Sequence, residues 1–262
     1  RADEIFDPET ATDYDRMIGY WNDQLVYDTT WAYYEETQTL RFFSNYPAVT
    51  RNETGTNGYA IAGWKLYADK IEHIIIGDDI KFITGMAFTD MTALKTVELG
   101  KDVRSMGNDI FWGCTSLTTI YRKGTTPVEG TADLSGFSGV SDNAFRNTLI
   151  RNFILNKSVT TTGEKWASNR IVSITCTPND FFMNYGVENS VDIIDVATGE
   201  TVAKNAVEID WSLPTCGAKI VYSFDEATGT LYLSGVGPMN DIVNYYGGGS
   251  KTQWWFDYKQ SI

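Results

Sequence analysis

The side chains of this 262-residue chain that could carry chemistry are one histidine, three cysteines and 34 carboxylates. His73 is the only histidine, so Ser/His/Asp or Cys/His catalysis would have to use it. It lies between Ile71 and Ile74 at the start of a predicted strand, where alternation points it outward and predicts a solvated or rim position; a catalytic base or metal ligand is the alternative. No G-x-S-x-G motif is present. The sequence therefore gives poor support to nucleophilic hydrolysis.

The carboxylates are too numerous to identify a site by themselves. A glycosidase needs only two of them at a set separation, and 34 acidic residues satisfy that requirement without specificity. Asp78, Asp79 and Asp102 stand at predicted turns, where we expect them to satisfy backbone groups. Weak calcium binding is the alternative, although no D-x-D-x-D-G loop occurs. We expect no catalytic residue, no cofactor and no metal site.

The cysteines and glycines carry no recognisable motif either. The absence of Cys-x-x-Cys argues against zinc. Cys114 lies inside a repeat and is predicted to be a small buried residue. Cys176 and Cys216 are either a disulfide pair or two free thiols. The glycines of "YYGGGSK" match no phosphate-binding motif and are predicted to form a loop tip.

Composition excludes several classes of partner. A net charge of −13 argues against nucleic acid and against anionic lipid surfaces. No apolar run approaches the length of a membrane-spanning helix, so we expect no membrane insertion. With 42% hydrophobic and 14% aromatic residues, the chain can bury a sizeable core. It begins at Arg1 rather than Met, which is consistent with a cleaved signal peptide or with a trimmed sequence.

Two consecutive stretches, "IEHIIIGDDIKFITGMAFTDMTAL" and "KTVELGKDVRSMGNDIFWGCTSL", repeat one pattern at an offset of 23 residues. Ile74 aligns with Val97, and Phe88 aligns with Phe111. Further units are predicted from Leu117, with a polar insertion at roughly 123–139, and from "NFILNKSVTTTGEKW". Units of about 23 residues bury a continuous core only when stacked, which predicts a short irregular solenoid of about four units over residues 71–177.

A second repeat relates the two ends of the chain at an offset of 191 residues. Thr39-Leu40 aligns with Thr230-Leu231, and Trp64 aligns with Trp255. We therefore predict a first β module over 20–70 and a homologous second one over 214–262. An acidic arm with one short helix is predicted over 1–19, and a strand-rich spacer over 178–213 with turns at Tyr185-Gly186 and Thr198-Gly199.

The pattern I-x-I-G-D-D-I-x-x-I-x-x-x-A-F-x-x-x-x-x-L resembles the BspA-type leucine-rich repeat of bacterial and protist surface proteins. "YSFDEATGTLYLSGVGPM", with Trp255 and Tyr258 downstream, resembles the β module that often precedes such repeats. The resemblance covers about residues 20–177 and 216–262. It implies a secreted or surface-attached protein with a role in adhesion, and it offers no catalytic residues to carry over.

Aromatic residues that the two modules do not share are the candidate binding residues. Tyr245, Tyr246 and Trp254 align with non-aromatic positions of the first module, so they are not needed for a common core. Asn52 and Asn156 begin Asn-x-Ser/Thr sequons, which matter only in a secreted eukaryotic protein.

The sequence thus predicts a mainly β fold, in which a leucine-rich-repeat solenoid is flanked by two small β modules. The function it favours is a non-enzymatic, extracellular or cell-surface interaction protein that binds a partner protein or a glycan. The alternative is a self-assembling subunit that forms head-to-tail oligomers or filaments. A carbohydrate-active enzyme is the least favoured hypothesis.

Overall fold

The computed structural model describes residues 7–21, 24–44, 63–217 and 219–236. The chain divides into two compact units, Arg1–Asn205 and Ala206–Ile262. The described residues contain sixteen strands and one α-helix, which confirms the predicted mainly β fold. The predicted division into five segments stays a prediction.

The first unit is built on one sheet of eleven strands. Its order is β1-β2-β3-β4-β6-β8-β9-β10-β11-β12-β13, with β3 to β12 parallel and both ends antiparallel. The elements in chain order are β1 Asp13–Trp21, β2 Gln24–Tyr34, β3 Thr39–Ser44, a one-turn 3-10 helix Gly63–Tyr67, β4 His73–Ile76, β5 Phe82–Ile83, β6 Thr96–Leu99, β7 Ser105–Met106, β8 Thr119–Arg122, β9 Thr131–Leu134, β10 Asn152–Leu155, β11 Ser173–Cys176, α1 Asp180–Asn189, β12 Asp192–Asp195 and β13 Thr201–Ala203.

The 23-residue repeat corresponds to one coil of a solenoid. Each coil places a strand in the sheet, turns, returns behind the sheet as a back segment and starts the next strand. Ile74 pairs with Val97 in the sheet, and Ile83 pairs with Met106 in the back segment through β5 and β7. The predicted solenoid and its alignment are therefore confirmed for the first two units.

A line of aromatic rings fills the space between the sheet and the back segments. Phe88 stacks on Phe111 with centroids 5.6 Å apart, and Phe111 stacks on Phe145 at the same distance. Ring contacts extend this line in both directions through Trp31, Trp64, Phe42, Phe153, Trp166 and Tyr185. Most of these rings are buried, so one apolar core runs through every coil of the unit.

The polar insertion predicted at 123–139 is not a simple insertion. Residues Thr131–Leu134 form strand β9, which lies in the sheet between β8 and β10. Its inward residues are Ala132 and Leu134, both fully buried. The prediction was wrong because β9 begins only about half a repeat after β8, and because small Ala132 stands where other strands place a large apolar residue.

The eight residues that join β8 to β9 cannot pass behind the sheet. The back segments on either side of them are bonded directly to one another: Asp109 donates its N–H to the carbonyl of Asp142 at 3.0 Å, and Phe111 donates to Ala144 at 2.9 Å. A path behind those segments must run about 10 Å from the sheet to the back layer, one strand length along it, and about 10 Å forward again. The sum is about 33 Å. The nine Cα–Cα steps from Arg122 to Thr131 reach about 31 Å when fully extended, and the turns at Gly124 and Gly130 shorten that reach.

The joining segment therefore crosses in front of the sheet. A route through the core would bury it, whereas all six residues 124–129 are exposed. The front of the sheet is the face that points away from the aromatic core, and residues 123–130 are named the front strap. The strap lies across the strands at β8 and β9, near the middle of the parallel sheet.

Two predicted features near the ends of the first unit are wrong. The arm predicted to hold a short helix instead contributes β1, which pairs with β2 along its whole length, so pairing overrides its polar composition. Tyr185-Gly186 lies inside α1 rather than in a turn. The side chain of Asn179 caps that helix by accepting the N–H of Phe182 at 3.0 Å. The turn at Thr198-Gly199 is confirmed.

The second unit contains a three-stranded antiparallel sheet in the order β14 Thr215–Gly217, β15 Ile220–Asp225 and β16 Thr230–Gly235. The β15–β16 hairpin has the register of the β2–β3 hairpin, displaced along the chain by the offset of the second sequence repeat. Asp225 pairs with Thr230 as Tyr34 pairs with Thr39. The last turn residue has positive φ in both hairpins, 50° at Gln38 and 65° at Gly229.

Replacing Gly100 by alanine tests how closely the coils approach each other. A Cβ on Gly100 would lie 2.2 Å from the carbonyl oxygen of Gly77, so one coil would have to move away from the next. We expect Gly100→Ala to lower the free energy of unfolding by about 2–3 kcal/mol, measured by urea denaturation followed by circular dichroism. The control is Gly139→Ala, because no heavy atom lies within 4 Å of that Cβ. Equal losses of stability in the two variants would contradict the close approach of Gly100 to the carbonyl of Gly77.

Replacing Gln38 by glycine tests the strain in the β2–β3 turn. Gln38 has a φ of 50°, which glycine adopts freely, as Gly229 does in the second hairpin. We expect Gln38→Gly to raise the free energy of unfolding by about 0.5–1 kcal/mol, because the relief of left-handed strain exceeds the entropy cost of glycine. Thr37→Gly, in the same turn but without positive φ, should give no gain. Thermal unfolding measures the stability of both variants. A lower stability of Gln38→Gly than of wild type would show that Gln38 is not strained.

Candidate functional site

The front face is built from the first and third residues of each strand in the parallel sheet. In β4, β6, β10 and β11 these two positions are half-exposed, while the second and fourth are buried. The first outward row is Thr39, His73, Thr96, Thr119, Thr131, Asn152, Ser173 and Asp192. The second outward row is Arg41, Ile75, Glu98, Tyr121, Asp133, Ile154, Thr175 and Ile194.

Hydrogen bonds between neighbouring strands fix side chains of the first outward row. Nδ1 of His73 lies 2.8 Å from Oγ1 of Thr96. Farther along the row, the hydroxyl of Ser173 donates to Oδ1 of Asn152 at 2.8 Å. The outward position predicted for His73 is confirmed by the alternating burial of its strand. These bonds give the row a defined set of donors and acceptors before any partner arrives.

The front strap covers the middle of the face. Thr119 and Thr131 are 4% and 8% exposed, although they occupy outward positions on β8 and β9. Tyr121, the only phenylalanine, tyrosine or tryptophan in either row, is half-buried. Burial raises its pKa to about 12, and the charge of Glu98 and a hydrogen bond to that carboxylate act in the same direction.

The strap thus divides the front face into two fields. The N-terminal field holds Arg41, His73, Ile75, Thr96 and Glu98, which include charges of both signs. The C-terminal field holds Asn152, Ile154, Ser173, Thr175, Asp192 and Ile194, in which Asp192 carries the one charge. The N-terminal field therefore presents more ionic groups, and the C-terminal field presents mainly β-branched, amide and hydroxyl groups.

An ionic contact joins three successive coils beside the N-terminal field. Oδ1 of Asp78 accepts the backbone N–H of Lys101 at 3.0 Å, and Oδ2 lies 3.3 Å from Nζ of Lys123 and 3.6 Å from Nζ of Lys101. Partial burial opposes ionisation of Asp78, but these contacts outweigh it and lower its pKa. The interpretation that Asp78 satisfies backbone groups at the turn is confirmed, and the backbone group belongs to the next coil.

The thiols are buried and unpaired among the described residues. Cys114 is fully buried as predicted, and its thiol donates to the carbonyl of Phe88 at 3.0 Å. Cys176 and Cys216 are free thiols, which resolves the alternative left open by the sequence. Burial raises the pKa of Cys114 and of Cys176 to about 12, so thiolate chemistry at neutral pH is suppressed at both.

Most of the binding residues predicted from the sequence lie outside the described residues. This holds for Tyr245, Tyr246 and Trp254, and for the sequon residue Asn52. Asn156 lies just after β10, where its Oδ1 accepts the N–H of Ser158 at 2.9 Å and its Nδ2 donates to the carbonyl of Ser135 at 2.5 Å. All five assignments stay predictions, and a glycan on Asn156 would have to displace the bond to Ser135.

The two outward rows were missed by the sequence analysis, although their signal was present. The 23-residue alignment that pairs Ile74 with Val97 also pairs His73 with Thr96 and Ile75 with Glu98. The polar and mixed positions between the apolar ones form the outward rows. Across 7–21, 24–44, 63–217 and 219–236, no group of three or more His, Cys, Asp or Glu side chains has a metal-binding arrangement. Over the same ranges, no helix combines the length and apolar character required to cross a membrane.

Comparisons with known proteins identify a repeat family and a solved structure that are similar to parts of this chain. Residues 60–129 match the family described as a BspA type leucine rich repeat region (6 copies). The crystal structure of a leucine-rich repeat protein from Eubacterium ventriosum ATCC 27560 is similar over 58% of this chain, with 16% identity and a TM-score of 0.44. The match spans 42% of that protein's chain. No curated protein matches. The BspA-type repeat predicted from the sequence is confirmed.

Neutralising Asp78 tests the ionic contact between coils. Because its pKa in the folded state is lowered, the carboxylate stabilises the fold above its unfolded pKa of about 3.9, and this contribution is lost as the pH falls through the folded value. We expect Asp78→Asn to lower the free energy of unfolding by about 1 kcal/mol at pH 7 and to approach wild type at strongly acidic pH. Urea titrations across pH 2–7 measure the difference.

The neighbouring carboxylate provides a matched control. Asp79 forms no ion pair in the part of the chain that the structure describes. Asp79→Asn should therefore leave stability near that of wild type at pH 7. A loss for Asp78→Asn that stayed constant down to the most acidic pH would argue against a charge effect.

Proposed function

We propose that this chain, which carries a BspA-type leucine-rich-repeat region, is a non-enzymatic binding protein of the cell surface or the secreted fraction. Its partner, a protein or a glycan, lies on the front face of the parallel sheet. The observation that carries the proposal is the pair of outward rows: eight strands in parallel register hold side chains at fixed intervals, and all of these are half-exposed except Thr119 and Thr131.

The rigidity of the surface supports a binding role. Beneath the outward rows, the second residue of every parallel strand is fully or almost fully buried against the aromatic core. Strand spacing fixes neighbouring outward side chains about 4.8 Å apart. Binding a partner would then order few side chains of this protein, so the entropy cost is small. A small cost favours affinity for a given contact area.

The environments of the reactive groups favour binding over catalysis. Nδ1 of His73 is hydrogen-bonded to the hydroxyl of Thr96, and the sequence contains no other histidine. The two thiols whose pKa lies at about 12 are buried in the core, away from any substrate. The BspA-type repeat itself adds the expectation of a surface location and an adhesive role.

The self-assembly alternative receives less support. One edge of the large sheet is β1, where pairing with another chain would use outward backbone groups. On that strand, Tyr14 donates its N–H to the carboxylate of Asp13 at 2.9 Å, and Arg16 donates to Asp15 at 2.7 Å. Carboxylates that engage backbone donors of an edge strand disfavour strand addition there.

A binding array tests the proposal. The probe is an array that carries purified surface proteins on one half and glycans on the other. We expect the wild-type chain to bind at least one component, and Ile75→Lys/Thr175→Lys, with one change in each field, to bind it at least about ten-fold more weakly because a lysine disrupts a complementary contact. Leu66→Lys/Thr115→Lys, at exposed positions outside the rows, is the control and should lose less than about two-fold.

Three results would contradict the proposal. Absence of binding to either half of the array would remove its basis. Equal losses for the two double variants would place the contact elsewhere on the molecule. Chemical conversion of a bound component, abolished by changing one carboxylate, would show that the chain is an enzyme. Matched thermal unfolding of all variants ensures that losses reflect the surface rather than folding.

A further inference from the structure

The front strap is not explained by the packing of the solenoid. The other links between successive strands from β4 to β12 pass behind the sheet, whereas the strap passes in front while advancing in the same direction. The strap therefore has the opposite crossover hand to those links. About 98% of connections between parallel strands are right-handed, so one of the opposite hand is rare. An eight-residue link of the rare hand at the middle of the binding face points to a role on that face.

The strap is held in one conformation at both ends. Thr125 donates its N–H to the carbonyl of Arg122 at 2.9 Å around Gly124, which has a φ of 85°. Thr131 donates to the carbonyl of Val128 at 3.1 Å around Gly130, which has a φ of 77°. The hydroxyl of Thr125 adds a bond of 2.7 Å to the first turn. Pro127 restricts φ between the two turns, so the exposed segment is preorganised.

The strap presents an apolar side chain to solvent. Residues 124–129 are all exposed, and Val128 is 60% exposed beside Pro127. Carboxylates dominate the surroundings, although the strap begins with Lys123, which is paired with Asp78, and the guanidinium of Arg151 lies beside Gly130. Glu129 lies on the strap, and Glu98 and Asp133 flank Tyr121 in the second outward row, about 10 Å apart across two strand spacings. The result is a raised apolar ridge with carboxylates around its base.

We propose that this ridge is the contact point for a protein partner, which receives Pro127 and Val128 in a shallow apolar groove bordered by lysine or arginine side chains. The inference rests on the proposed function and selects protein over glycan. Sugar stacking needs an open aromatic face, and the only such ring of the outward rows, Tyr121, is half-buried and hydrogen-bonded to Glu98. Charge complementarity selects a basic border, since the ridge is acidic and the whole chain carries −13.

The first experiment tests the ridge on the array described above. We expect binding to a protein component, and Val128→Ser to weaken it at least about ten-fold, because a central apolar anchor dominates such contacts. Val187→Ser is the matched control, since Val187 is 70% exposed on α1 and lies away from the strap; it should change affinity less than about two-fold. Glu98→Gln/Asp133→Asn should weaken binding and flatten its dependence on salt.

The outcomes separate this inference from the function on which it rests. Binding to glycans alone, protein binding that is insensitive to Val128→Ser, or binding that is independent of salt overturns the ridge and leaves the front-face function standing. Absence of any binding overturns both. Binding to a protein with the expected pattern of variants supports both.

A second measurement tests the position of the strap without any partner. A cysteine is introduced at Thr119 beneath the strap, or at Ser173 in the same outward row beyond it, and both are treated with a maleimide. The native thiols described by the structure are buried and provide a low background. We expect Thr119→Cys to react at least about ten-fold more slowly than Ser173→Cys. Equal rates would show that the strap does not cover the face, and would overturn the proposal.

Discussion

The fold depends on a single geometric constraint, which is that stacked coils must advance by the same distance at the front and at the back. The regular coils satisfy it, because the 5.6 Å between the rings of Phe88 and Phe111 is close to one strand spacing. The next pair of full coils does not. Phe111 and Phe145 are also 5.6 Å apart at the back, yet their strands, β6 and β9, are separated at the front by β8. The sheet therefore contains one strand more than the back layer supports.

Arg122 closes the wedge-shaped space that this mismatch leaves. It occupies an inward position where neighbouring strands place leucine, and its guanidinium donates to the carbonyls of Gly100 at 3.1 Å and Val103 at 2.8 Å. It also lies 5.2 Å from the ring centroid of Phe137. Burial lowers its pKa, but an arginine stays charged, so carbonyl acceptors and an aromatic face are suitable neighbours. The Arg122 side chain thus contacts residues of the coils on both sides of β8, which has no back segment of its own.

The parts of the fold that the sequence predicted are those where one period repeats without change. The pairing of Ile74 with Val97 and the stacking of Phe88 on Phe111 follow from a repeat offset that places large apolar residues on one another. Strand β9 was missed because its spacing breaks the period and Ala132 weakens the apolar signal. Helix α1 was missed because its start depends on one side chain, Asn179, and its apolar residues suit a strand as well as a helix.

The front face was harder to predict for a different reason. Core positions can be recognised in the sequence because they are apolar. Outward positions such as Thr96 and Glu98 share no residue type, so they are recognised only once the strand register is known. The strap was visible as a polar, glycine-containing stretch, but its path in front of the sheet follows from hydrogen bonds between distant back segments. The sequence of the strap itself does not reveal that the back segments on either side of it are hydrogen-bonded to each other.

The extra strand also bears on how the front face of such a protein can change over generations. A complete coil adds a strand together with a back segment, and it must match the aromatic core on both sides. The step from β8 to β9 adds a strand with about half the chain length of a full coil, and leaves the stacking of Phe111 on Phe145 intact. Duplication or loss of such a half-coil alters the number and identity of presented side chains without reorganising the interior. Sequence variation can therefore be concentrated on the front face while the aromatic core stays unchanged.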